Sequence, residues 1–340
     1  MGRTAVVLLN LGGPDQLESV QPFLRNLFRD PAILRLPGIF REPLAWLIAR
    51  KRSREAQAIY AHLGGGSPLL KNTQAQAQSL EKRLGRHFRV FIAMRYWHPF
   101  TEETVREVLA YRPGQVILLP LYPQFSTTTT ASSLKCWSET TRKTGLNVST
   151  RTIGCYPAQR GFVRAVAELL DETLQKVDDL SQTHVLFSAH GLPKRIIEAG
   201  DPYQKQVEQT VQAVMDEIKM KERGCFYSIA YQSRVGPLEW IGPATDGEIK
   251  RLGRTHKNVV LVPISFVSEH SETLYELDYQ YKILAEASGV NKFFRVPTVG
   301  IHPEFIEGLA ELCCQDASHD DFVCSQGEEN CFCQGVNANV

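Results

Sequence analysis

No apolar run in this 340-residue chain approaches the roughly 20 residues that cross a bilayer. The longest, such as Val116 to Leu121 and Val259 to Ile264, are far shorter. An excess of one charge is missing too. Lys and Arg number 38 against 37 Asp and Glu, which leaves too little net field to attract nucleic acid. Neither G-x-G-x-x-G nor a loop closing in Gly-Lys-Ser/Thr occurs, which argues against nucleotide binding. The glycines of Asn10-Leu11-Gly12-Gly13-Pro14 and Gly64-Gly65-Gly66-Ser67-Pro68 suit tight turns or a backbone passing close to a flat ligand. Paired C-x2-C motifs of structural zinc sites are absent, as is any internal repeat of 20 to 50 residues. The start, Met1-Gly2-Arg3-Thr4, runs straight into Ala5 to Leu9 without the longer apolar core of a secretory signal, so a cytoplasmic chain is expected.

What is present is a soluble composition, 43% hydrophobic and 22% charged, on a chain long enough for two domains of ordinary size. Continuous apolar runs recur, each followed by a helix-like stretch. Ala5 to Asn10, Val90 to Met94, Val116 to Leu121 and Val148 to Ile153 form one set. Val185 to Ser188, Tyr227 to Tyr231, Val259 to Ile264 and Phe293 to Val296 form a second. Unbroken apolar runs suit strands covered on both faces, and Phe162 to Lys176 and Val207 to Met220 have the length of crossover helices. The expected fold is therefore α/β, two parallel units of about four strands each.

Ligands in such sheets bind beyond the carboxyl ends of the strands. His190 stands there in Ser188-Ala189-His190-Gly191-Leu192-Pro193, where its imidazole could accept protons or ligate a metal. Glu269, Glu272 and Glu276 fall at i, i+3 and i+7, so a helix would set three carboxylates along one face, with His270 nearby. Such a row would pass a divalent cation or take up protons, or else simply face water. Ile33 to Arg54 is a proline-interrupted apolar segment ending in a basic cluster, fit to act as a lip over a planar ring, to rest on an anionic membrane surface, or both. Near the end, Cys324-x6-Cys331-x-Cys333 supplies three thiolates for iron-sulfur or zinc chemistry, with Cys155, Cys136 or Cys225 as a distant fourth.

Several long motifs in one order resemble the ferrochelatases. They are Leu9-Asn10-Leu11-Gly12-Gly13-Pro14, Gly64-Gly65-Gly66-Ser67-Pro68, Met94-Arg95-Tyr96-Trp97-His98-Pro99, Tyr122-Pro123-Gln124-Phe125-Ser126 and Ser188-Ala189-His190-Gly191-Leu192-Pro193. Gln232-Ser233-Arg234-Val235-Gly236-Pro237-Leu238-Glu239-Trp240 and Ser268-Glu269-His270-Ser271-Glu272-Thr273-Leu274-Tyr275-Glu276 complete the set. The resemblance implies a chelatase-like fold of two similar Rossmann-like domains, each with a four-stranded parallel sheet, holding a porphyrin between them. The expected division is 1–155 with the lip, 156–300 with the metal-insertion residues, and 301–340 as a helix and cysteine tail.

By position, His190 takes the family's active-site histidine and Glu272 the carboxylate facing it across the macrocycle, both as ligands of the ferrous substrate, with Glu276 continuing the acidic path. Leu11, Arg95, Tyr96, Trp240 and Phe266 match positions that hold or orient the ring. Arg52 and Tyr60 match positions near the lip and the propionates. The tail is similar to that of bacterial ferrochelatases with a 2Fe-2S cluster, which implies Cys155, Cys324, Cys331 and Cys333 as ligands. It departs from the animal enzymes, whose internal ligand falls where this chain has Thr127.

The implied activity is insertion of ferrous iron into protoporphyrin IX, the terminal step of haem biosynthesis. Coproporphyrin is the rival substrate, and a haem-binding carrier is the rival without catalysis. The expected partners are porphyrin and iron, no nucleic acid, a peripheral contact at the inner membrane, and a monomer or homodimer.

Overall fold

A computed structural model describes residues 2–315, apart from 221–223, 235, 237 and 256, together with the backbone of 322–324. The chain divides into two units, Met1–Cys155 with Leu309–Val340, and Tyr156–Gly308. Residues 301–340, expected to stand apart, are shared between them.

In the first unit β1 (Thr4–Asn10) leads through α1 (Val20–Phe28), α2 (Gly38–His62) and α3 (Leu69–Leu84) to β2 (Phe88–Met94). Then follow α4 (Thr101–Tyr111), β3 (Gln115–Pro120), α5 (Thr130–Thr144) and β4 (Thr150–Cys155). The second unit runs α6 (Arg160–Leu174), β5 (Thr183–His190), α7 (Lys194–Glu198), α8 (Tyr203–Glu217), β6 (Phe226–Gln232), α9 (Thr245–Gly253) and β7 (Asn258–Pro263). A π-helix (Glu272–Gln280) then passes into α10 (Tyr281–Ala287), followed by β8 (Phe293–Arg295) and α11 (Pro303–Cys314), through which the division between the units falls. A last strand, β9 (Phe322–Cys324), returns to the first sheet.

Both sheets are wholly parallel. Their orders are β2-β1-β3-β4-β9 and β6-β5-β7-β8. All eight apolar runs became strands, shifted at most by a few residues, because helices cover both faces. In the first unit Val105, Val108, Leu134 and Trp137 pack on Val7, Leu9, Val116 and Leu118. In the second, Ile249, Leu252, Leu277 and Tyr281 cover Leu186, Ala230, Val259 and Leu261. Sites past the strand ends are thus mounted on rigid, dry sheets.

The first sheet has a fifth strand beyond the four expected, since β9 adds beside β4 in parallel. Arg151 helps to set it up. Its buried guanidinium donates to the carbonyls of Leu312, Cys313 and Gln315, satisfying the end of α11 from which the chain departs toward β9. The segment expected as a broken lip is mostly one continuous helix, α2, with Pro43 inside it. It exposes Ile39 and Phe40, 77% and 66% accessible, together with Trp46 and Leu47.

Candidate active site

The second unit brings His190, Glu272 and Glu276 together. His190 is the last residue of β5, and the following Gly191 lets the chain pass close to β6 and Trp240: a Cβ there would meet the Gln232 carbonyl oxygen at 2.8 Å and the Trp240 ring at 3.3 Å. The turn so fixed aims the imidazole at the π-helix. Nδ1 of His190 lies 2.9 Å from Oε2 of Glu272, the first residue of that helix. The His190 amide donates to Oγ of Ser265 at 3.2 Å, which holds the strand end.

Ser233 joins this pair to Glu276. It stands just past β6 with φ of +60°, a left-handed conformation rare for residues other than glycine, asparagine and aspartate. In that pose its amide donates to Oε1 of Glu276 at 3.0 Å. Its hydroxyl reaches Oε2 of Glu276 at 2.6 Å and Oε2 of Glu272 at 3.4 Å. The Tyr281 hydroxyl donates to Oε1 of Glu276 at 2.9 Å. One serine thus bridges two carboxylates presented by a π-helix, a rare geometry that tends to occur at functional sites.

These contacts drive the protonation states apart. Burial alone would lower the His190 imidazole, but the charge and hydrogen bond of Glu272 outweigh it and raise it above 6.5. Burial would raise Glu272, yet His190 pulls it down to about 2. Glu276 is raised above 4.5 by burial and then by repulsion from Glu272. His270 is lowered by burial, its Nδ1 has no hydrogen-bond partner among the described residues, and its ring lies 4.8 Å from that of Phe266. Two carboxyls and two imidazoles whose proton affinities are pulled in opposite directions therefore share one site. Groups split in this way exchange protons near neutrality and offer nitrogen and oxygen ligands to a divalent metal.

Two expectations change. Glu272 touches His190 directly, so a flat ring cannot lie between them while that contact holds, and the two act as a pair on one side. The row of three carboxylates shrinks to two, because Glu269 precedes the π-helix and is captured by Arg295 at 2.6 Å. Trp240, half-buried, forms a bridge to Pro193 and leaves its indole nitrogen without a partner among the described residues.

The residues expected on the ring from the first unit sit differently. Tyr96 is 1% exposed, and its hydroxyl donates to Oδ2 of Asp30 at 2.9 Å. The same oxygen accepts from Arg95 Nη2 at 2.7 Å and from Ser132 Oγ at 2.5 Å. Tyr60 is buried with Tyr96 in a cluster of Val20, Phe23, Leu24 and Ala49, against which Leu11 packs in part. The Arg52 guanidinium lies 5.9 Å over the Phe28 ring. Tyr60 and Tyr96 are therefore buried in the first unit, with little surface to offer a ring. Asp30, the hub of this network, gave no sequence signal, since its partners lie 65 or more positions away.

Of the cysteines, Cys155 ends β4 and is buried, and its Cα pairs in register with that of Cys324 on β9. Cys136 lies on α5 beside Thr101, and Cys225 donates to the Thr183 carbonyl in the second unit. Cys331 and Cys333 lie outside the described residues.

Comparison with known proteins gives a consistent result. The ferrochelatase family model matches residues 3–317. Ferrochelatase of Caulobacter vibrioides is 53% identical over 314 residues, 91% of this chain and 89% of that protein. That of Rickettsia bellii is 46% identical over 337 residues, covering 97% and 92%. Among solved structures, SirB from Bacillus subtilis with Fe3+ is similar at a TM-score of 0.54 and 10% identity, over 91% of this chain and 93% of that one. DR2241 from Deinococcus radiodurans, described as structurally similar to chelatases, matches at 0.51 and 17% identity over 94% of this chain and 56% of its own. The last two likenesses bear on fold alone.

Proposed function

The chain belongs to the ferrochelatase family, lyases that insert iron into a porphyrin, and from that premise we propose that its substrate is protoporphyrin IX and that His190, Glu272 and Glu276 carry the insertion. The observation that supports this reading most is the His190–Glu272–Ser233–Glu276 chain at the strand ends of the second unit.

Metal insertion replaces two pyrrole hydrogens by one ferrous ion, so two protons must leave as the iron enters. Glu272 holds Nδ1 of His190 and leaves Nε2 to face the substrate. In its neutral form the imidazole keeps its proton on Nδ1, toward Glu272, so Nε2 can accept a pyrrole proton and the imidazolium formed is held by the Glu272 carboxylate. The Ser233 hydroxyl, in reach of both carboxylates, links that pair to Glu276, which takes up a proton more readily than an ordinary carboxylate. Nε2 of His190 and the Glu276 carboxylate are thus the two acceptors for the two pyrrole protons, which they later release to solvent. His270, kept neutral by burial, and the carboxylates supply ligands for the incoming iron. Apolar and aromatic side chains of this unit, Phe266 and Trp240, favour a bent ring whose nitrogen lone pairs are exposed. That is binding spent on a transition-state-like shape.

Protoporphyrin is our reading over coproporphyrin, whose two further carboxylates would call for more cations than the ring positions Arg52 and Arg95 supply. Arg95 is already neutralised by Asp30. Side-by-side anaerobic rates on the two porphyrins test this, with faster metallation of protoporphyrin expected and faster metallation of coproporphyrin refuting it.

A 2Fe-2S cluster held by Cys155, Cys324, Cys331 and Cys333 fits the described residues as far as they reach. Register partners on adjacent strands lie about 4.8 Å apart, which suits two ligands of one cluster. Cys155 on β4 and Cys324 on β9 would hold the cluster together with Cys331 and Cys333, and it would then cross-link these two strands. Cys155→Ser should bleach the visible absorption of the purified protein and lower its melting temperature; a colourless wild type with stoichiometric zinc would overturn the assignment. The exposed Ile39, Phe40 and Leu47 next to Arg50, Lys51 and Arg54 support a reversible contact of this cytoplasmic enzyme with an anionic membrane. Salt-sensitive sedimentation with anionic vesicles, lost in Phe40→Glu, checks it.

A further inference from the structure

Arg295, the last residue of β8, is a buried cation whose side chain is 12% exposed. Its guanidinium forks onto Asp278, Nε to Oδ1 and Nη2 to Oδ2, each at 2.6 Å. The remaining arm, Nη1, donates to Oε1 of Glu269 at 2.6 Å, an oxygen that also accepts from the Thr298 amide at 2.9 Å. Asp278 lies near the end of the π-helix, and Glu269 just before its start. A single cation therefore ties together both flanks of the stretch that carries Glu272 and Glu276.

A π-helix bonds i to i+5, is rare, and persists where its surroundings impose it. Relaxation to an α-helix, with i to i+4 bonds and 3.6 residues per turn, would rotate Asp278 about the axis relative to Glu269 and Glu272. The bidentate fork could not survive that rotation, because a planar guanidinium accepts a carboxylate in one orientation. Three charge-assisted bonds on one buried group thus oppose the relaxation.

We infer that Arg295 is a positioning residue, which holds the π-helical stretch in the register where Glu272 meets His190 and Glu276 meets Ser233. Among the described residues it bonds to neither carboxylate, and it acts through the backbone between its two anchors. The inference rests on the iron-insertion reading above.

The test uses the full chain with ferrous iron and protoporphyrin IX under anaerobic conditions. Arg295→Gln should lower kcat by about 10- to 100-fold, the scale of a small misplacement of reacting groups, with KM for the porphyrin changed less than about twofold. Arg295→Lys should recover only part of the rate, because an ammonium cannot make the fork. Adding Glu272→Gln to Arg295→Gln should cost much less than it does in the wild type, since both changes disable the same group. Amide exchange over 269–281 should quicken in Arg295→Gln while β5 and β7 stay protected.

An unchanged kcat, or losses that multiply fully in the double variant, would overturn the inference. Should Arg295→Gln fail to fold, Asp278→Asn breaks the fork at its more accessible end and must still lower kcat selectively; normal turnover there has the same overturning force. If the wild type itself does not metallate porphyrin, the reading beneath fails, whereas the exchange comparison still decides whether Arg295 holds the helix.

Discussion

Polar groups near the strand ends of the first unit are paired off with one another, Asp30 binding Arg95, Tyr96 and Ser132 through a single oxygen. Those of the second unit stay within reach of solvent, His190 and Glu272 keeping 37% and 29% of their side chains exposed. Each sheet has the same parallel build, yet the polar groups at one end are tied into a buried network while His190 and Glu272 at the other keep exposed surface. The open cavity of about 390 Å³ in the first unit makes the same point, since Asp30 and Arg95 in its wall are already paired. A shared fold fixes where side chains emerge, and the chemistry depends on whether their charges have been spent.

This contrast can be broken by experiment. The largest expected effect is Glu272→Gln, which should lower kcat by about 10²- to 10⁴-fold while leaving the fold intact, the span of a lost acid–base group. Urea unfolding beside steady-state kinetics would check it, and an unfolded variant would mean that Glu272 belongs to the scaffold after all. Asp30→Ala should behave in the opposite way. Leaving Arg95 partly buried without its carboxylate should destabilise the protein by about 3 kcal/mol, seen as a lower urea midpoint, with kcat of the folded fraction little changed. A large kcat loss at full stability would move Asp30 into the reactive set.

Tyr96→Phe is gentler. It removes one buried hydroxyl and its bond to Asp30, so about 1 kcal/mol of stability should go and turnover should remain.

The smallest effect is on the pH dependence of stability. The folded value of His190 is raised above 6.5, so its contribution is complete below about 6.5 and fades as pH rises through the raised value. Glu272 is lowered to about 2, so its contribution is complete above about 4.5 and fades as pH falls toward 2. The melting temperature of the wild type minus that of Glu272→Gln should therefore be greatest between about pH 4.5 and 6.5. A flat difference would show that the pair is not formed in solution.

Much of the fold was legible because parallel strands buried on both faces must be continuous apolar runs, and Val185 to Ser188 or Val259 to Ile264 leave little alternative. The strand-end rule likewise led from sequence to His190, and the carboxylate spacing to Glu272 and Glu276. What escaped had no local period. β9 is three residues long and pairs through its backbone. Asp30 and Arg295 act on partners distant in sequence, and no spacing announces them. The carboxylate row was overcounted because i, i+3, i+7 presumes an α-helix, whereas the chain enters a π-helix only after Glu269 has bonded to Arg295. Tyr60 and Tyr96 matched pocket positions by motif, but burial decides whether a tyrosine meets a ligand or supports the wall that does.

The account rests on His190, held by Glu272, moving protons as iron enters a bound porphyrin. Single-turnover insertion of ferrous iron into bound protoporphyrin by His190→Ala tests this most directly. Porphyrin should still bind with near-normal affinity while insertion falls to the uncatalysed rate; insertion at close to the wild-type rate would contradict it.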